Sequence, residues 1–167
     1  MLIRREDWDR IQDIYLDLGY IPLGFGWGGE KEKPARFSHV GMSFISPDFS
    51  CILGSQWGLK SPTAGYTENI NGTWESTVDF NFHGLDIKAL SPEYNLLHLI
   101  LHMEIYKCGI RDCMDLYNLV LGTGVDMDAL FKIIEDANAG KKALFTLDLS
   151  NQCTPAFPDS LLKNLGQ

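Results

Sequence analysis

His98 and His102 stand four residues apart in a stretch whose apolar residues recur at helical spacing, so both imidazoles share one helix face. Such a pair could hold a metal, with Cys108 or Cys113 supplying thiolates. The spacing H-x3-H-x5-C-x4-C matches no established zinc pattern, and there is no H-E-x-x-H because Leu99 follows His98. The competing reading has the imidazoles donating to helix carbonyls or carboxylates, and no metal is assigned. Arg111, Asp112 and Asp115 form a second constellation. Arg111 could grip a phosphate or a base, with Asp115 in an acidic or structural role. The alternative is an ion-pair network that locks two helices, with His102 donating to Asp115; such networks commonly mimic sites.

Elsewhere the chemistry is sparser. Gly24 to Gly29 reads G-F-G-W-G-G, which does not match G-x-x-x-x-G-K-[ST], and no helix start follows it. A hairpin tip is the simpler reading. Trp27 is its one oddity, because an exposed tryptophan usually covers something. No Ser-His-Asp or Cys-His set is identifiable from spacing. Phosphoryl or nucleotidyl transfer with two metals needs carboxylates converging from adjacent strands. The strand-borne acids here are Asp79 and Asp86, which do not make such a set.

The elements that must position these residues change character near residue 90. Trp8, Ile11, Ile14, Tyr15 and Leu18 recur at helical spacing over 5–18, and Gly19 stops that helix. Strands are expected over 20–25, 37–45, 49–59, 74–82 and 85–90, with turns at Ser46-Pro47-Asp48 and His83-Gly84. Lys60 to Gly72 reads as a polar connection, and Asn71-Gly72-Thr73 as a turn. Ser91-Pro92-Glu93 then gives an N-cap followed by proline at the first helical position. Helices are expected over 92–107, 110–121, 126–138, 140–150 and 159–165. The fold class is therefore α+β: a small, mostly antiparallel sheet with a flanking helix over 1–90, then a helical lobe over 91–167.

The bulk numbers narrow the partners. With 167 residues, 45% hydrophobic and 22% charged, the chain can bury a core. A formal net charge of −8 argues against a broad nucleic-acid surface. The longest apolar run, Leu96 to Ile105, is interrupted by His98, His102 and Glu104, so no membrane span is expected. The start, MLIRREDWD, lacks a signal-peptide pattern, and Cys51, Cys108, Cys113 and Cys153 form no C-x-x-C pair. Reduced thiols and a cytoplasmic location are the expectation.

Residues 90–120, LSPEYNLLHLILHMEIYKCGIRDCMDLYNLV, resemble a segment of bacterial nucleotidyltransferases of the polymerase-β-like superfamily, L-S-P-E-D-x-L-L-H-L-x-x-H followed by R-x-x-x-D-L. The start, MLIRREDWDRIQDIYLDLGY, is similar to the family stretch that follows its D-x-D strand. The resemblance covers roughly 1–150 and implies an order of helix, strands, hairpin and helical lobe. It also implies that His102, Arg111 and Asp115 match family positions lining a cleft, together with Gln56 and Trp57. A family strand reads acid-x-His-Trp; here Gly54 takes the place of the acid, Gln56 that of the histidine, and Trp57 is retained. The family's aspartate pair would fall ahead of Met1, so the chain resembles a member that begins inside the catalytic strand. Nucleotidyl transfer from an NTP to a small-molecule or peptide acceptor is thus expected to be absent or incomplete. Mg2+ and NTP would be required only with an N-terminal catalytic segment. The alternative is a non-catalytic binding or interaction module. An exposed sheet edge would in either case invite a homodimer or a partner chain.

Overall fold

The computed structural model describes residues 1–24, 38–103 and 109–166. The chain divides into two compact units, Met1–Gly65 and Tyr66–Gln167. Helices and two small antiparallel sheets are both present, so the fold is α+β. The hairpin over 78–89, grouped with the first lobe in the sequence division at 90, lies in the second unit.

In the first unit a 3-10 turn at Arg5–Asp7 leads into α1 (Trp8–Asp17). Trp8, Ile11 and Tyr15 fall on one face of α1, and Trp8 and Tyr15 are buried with Ile3 and Phe44. Gly19, at φ 79°, turns the chain into β1 (Ile21–Leu23). β1 pairs antiparallel with β2 (Ser43–Ile45), and β2 with β3 (Ile52–Leu53). Phe44 sits opposite Pro22 and Leu53 on the face that meets α1. Ile21, Ile45 and Ile52 form the row on the opposite face.

These strands are shorter than expected. The 49–59 stretch is ordered as strand only at Ile52–Leu53, because Phe49 takes φ 60° inside the turn that Ser46 and Asp48 hold. In the 37–45 stretch only Ser43–Ile45 is strand. Gly41 interrupts it beneath the Trp8 ring, where a Cβ would lie 2.4 Å from the nearest ring carbon. Phe25, Phe37, Trp27 and the glycine and charged run between them lie outside the described residues.

The second unit contains α2 (Ile70–Glu75), β4 (Val78–Phe82), β5 (Leu85–Ala89), α3 (Pro92–His102), α4 (Ile110–Thr123), α5 (Met127–Asp136), α6 (Gly140–Cys153) and α7 (Asp159–Leu165). The sequence pattern puts Trp74 and Glu75 in a strand and Asn71–Thr73 in a turn; all of them are helical in α2. Asn69 decides this. Its side chain accepts from the Gly72 N–H at 2.9 Å, and the Thr73 hydroxyl donates to its carbonyl at 3.0 Å, so the cap outweighs the strand preference of Thr73 and Trp74. The hydroxyl of Ser91 accepts from the Tyr94 N–H, as its N-cap position predicts. Leu96, Ile100, Leu116, Leu130, Ile134 and Leu147, from α3 to α6, are fully buried. α3 ends at His102, since Met103 is extended, and 104–108, with Cys108, lie outside the described residues.

Candidate functional site

The N-terminal segment and residues 54–57 build one framework in the first unit. The Met1 amine donates to the Gly54 carbonyl at 2.8 Å, Gln56 N–H to Met1 O at 2.9 Å, and Ile3 N–H to Gln56 O at 2.8 Å. Leu2 therefore bridges Gln56 in parallel sense, while Val40 bridges it in antiparallel sense. Burial holds the Met1 ammonium below its ordinary range. Ser55 is buried, with its hydroxyl 3.1 Å from Tyr15 Oη. Gly54 is exposed and Gln56 half-buried, as alternation along an extended segment requires. A Cβ at Gly54 would meet no atom within 4 Å.

Trp57 is anchored from three sides. Its indole N–H donates to Ser38 O at 3.1 Å, its ring packs against Trp8 at 5.8 Å, and the Arg5 guanidinium lies over it at 4.8 Å. A tryptophan held this way positions the Gly54–Trp57 segment on α1. The Arg5 contact was not legible in the sequence, where Arg5 only opens the helical stretch over 5–18.

In the second unit His102 is exposed at the end of α3, its ring edge-to-face with His98 at 4.4 Å between centroids. Arg111 and Asp115 are exposed on α4, four residues apart and so on the same outward face. Asp112 caps α4 instead, its carboxylate accepting from the Gly109 N–H at 2.8 Å. Glu93 accepts from the Asp126 N–H at 3.0 Å, linking the start of α3 to the start of α5, a contact no motif announces. Asp79 and Asp86 share the polar face of the β4–β5 hairpin, where Asp79 pairs with Lys88 and Asp86 accepts from Asn81 at 2.7 Å.

Among the described residues no group of three or more His, Cys, Asp or Glu side chains is placed to hold a metal ion. A cavity of about 20 Å3 lined by Thr67, Asn69, Tyr94, Leu97, Ile133, Asp136 and Ala137 has room for about one water, not a nucleotide. Among the described residues no helix is long and apolar enough to cross a membrane. In comparison with known proteins, the model of a family described as uncharacterised nucleotidyltransferase matches residues 1–155. No curated protein and no solved structure matches.

Proposed function

We infer the function from the premise that this chain belongs to the uncharacterised nucleotidyltransferase family. Its function is nucleotidyltransferase-like in general terms. The finer reading is that these 167 residues carry the scaffold but do not by themselves transfer a nucleotidyl group from an NTP to a small-molecule or peptide acceptor.

The contact between Met1 and Gly54 supports this reading. By resemblance, the family's aspartate pair ends just ahead of Met1 and its third acid stands at Gly54. The Met1–Gly54 hydrogen bond and the Leu2–Gln56 bridge hold Met1 and Leu2 beside the Gly54–Gln56 segment, so a residue joined ahead of Met1 would start next to Gly54. Convergence of that kind is what a two-metal site needs from its carboxylates. Gly54 supplies none. Without carboxylates Mg2+ is not held against the triphosphate, and charge stabilisation is the larger part of such catalysis. His102, Arg111 and Asp115 belong, on this reading, to the helical lobe's ligand-facing surface.

Calorimetric titration of NTP with Mg2+ into the 167-residue chain tests the inference. No Mg2+-dependent heat is expected. Saturable NTP binding that EDTA abolishes would sink the reading. A longer chain carrying an in-frame aspartate pair ahead of Met1 is expected to gain that binding. A stop codon in the coding DNA immediately upstream of Met1 would instead favour the non-catalytic binding module.

A further inference from the structure

The β4–β5 hairpin is a two-stranded sheet with no cover among the described residues. Val78, Phe80, Phe82, Leu85 and Ile87 are 43–66% exposed and share one face; Asp79, Asn81, Asp86 and Lys88 share the other. A two-stranded hairpin is marginal in water, and three or more strands are normally needed for independent stability. His83 and Gly84, at φ 50° and 85°, form the tight turn that joins the strands. That turn makes Phe82 and Leu85 a hydrogen-bonded pair. Alternation along an antiparallel ladder then leaves the N–H and C=O of Asp86 and Lys88 directed to the open edge of β5.

We propose that the open edge of β5 pairs antiparallel with β5 of a second copy of this chain, about a two-fold axis at Ile87, giving a four-stranded sheet. The register follows from the side chains. Pairing Ile87 with its own mate sets Asp86 opposite the mate of Lys88, and Lys88 opposite the mate of Asp86. Two reciprocal ion pairs form, and each lysine then lies between two carboxylates, because Asp79 already faces Lys88 within one copy. A slip of one residue puts Asp86 beside an isoleucine and mismatches the outward backbone groups. A slip of two sets Asp86 against Asp86 or Lys88 against Lys88. The edge of β4 offers less, since a two-fold at Phe80 sets Asp79 opposite Asn81 and gains no ion pair. The chosen register also brings the two Ile87 side chains together and Leu85 onto Ala89 on the apolar face. A contact of this size falls in the transient class, with association at micromolar concentration.

The proposal does not rest on the nucleotidyltransferase reading and is tested separately. Wild type should sediment as a concentration-dependent dimer that weakens with added salt. Asp86→Lys and Lys88→Asp should each be monomeric alone, because each homodimer opposes like charges. Mixed in equal amounts, they should form a heterodimer, since each Lys then meets an Asp. Far-UV circular dichroism checks that both fold. Should either unfold, the neutral pair Asp86→Asn and Lys88→Gln replaces them, each expected to weaken association about tenfold and to remove its salt dependence. A wild type that stays monomeric at high micromolar concentration overturns the proposal. So does a dimer indifferent to every one of these substitutions, or charge variants that fold but do not associate on mixing.

Discussion

The two sheets each centre a strand on a phenylalanine, and the two rings meet different fates. In β2 Phe44 is flanked by Ser43 and Ile45, so both faces carry apolar side chains, whereas β4 alternates apolar and polar residues about Phe80. Phe44 is 1% exposed, enclosed by Trp8 and Tyr15 from α1, whereas Phe80 is 50% exposed. An apolar side of a strand therefore becomes core only where a second element covers it. In the first sheet α1 supplies the cover. In the hairpin no described element does so.

The widest test of that contrast replaces each phenylalanine by alanine. Phe44→Ala removes a ring in edge or tilted contact with Trp8 and Tyr15 and should cost about 3–5 kcal/mol in urea denaturation. Phe80→Ala, measured at concentrations where the chain is monomeric, should change stability by less than about 1 kcal/mol. Equal losses at the two positions would mean that the hairpin face is covered in solution, and the comparison would fail.

A smaller effect separates two glycines of the first unit. At Gly41 a Cβ would lie 2.4–2.7 Å from three carbons of the Trp8 ring, which is itself held by Phe44 and Trp57. Gly41→Ala should therefore destabilise by about 1–3 kcal/mol and shift tryptophan fluorescence. Gly54→Ala, whose Cβ meets open space, should stay within about 0.5 kcal/mol of wild type. A neutral Gly41→Ala would show that the Trp8 ring is free to move, and that α1 is not seated on the sheet as described.

The sequence made the helical lobe legible because its signals are local. Ser91 and Pro92 mark the start of α3 where the structure has it, and the helix expected from 126 is α5, capped by Asp126. The His83-Gly84 turn was equally plain. The failures lie where a distant contact or a competing cap decides. Nothing local announces that Gly41 must pass under Trp8, and strand-forming Trp74 is drawn into α2 by the cap at Asn69. The candidate site was legible in part. Gln56 and Trp57 could be named from a resemblance, but their setting depends on Met1–Ile3 and Arg5, more than 50 positions away in the chain. His102, Arg111 and Asp115 stand at exposed positions, where composition alone does not tell a ligand contact from a solvated face.

The smallest expected effect lies at the tip of the β2–β3 hairpin and sharpens the contrast with the His83-Gly84 turn. The second turn takes left-handed steps at both His83 and Gly84, whereas the first is held by a carboxylate. Asp48 accepts from the Ser46 hydroxyl at 2.6 Å, the Ser50 hydroxyl at 2.8 Å and the Ser50 N–H at 3.1 Å. These bonds, that of Ser46 first, hold its carboxyl down from 3.8 to about 2. A pKa depressed by folding means that the carboxylate stabilises the folded turn above the unfolded value, and that this contribution is lost as pH falls through the folded one. Thermal stability of the first unit should accordingly decline between about pH 4 and about pH 2 by more in wild type than in Asp48→Asn, whose amide does not titrate. Because Asp48 is open to solvent, the difference should be small and should show as a change of slope rather than as unfolding. Identical slopes in the two proteins would mean that Phe49 holds its φ of 60° without the carboxylate.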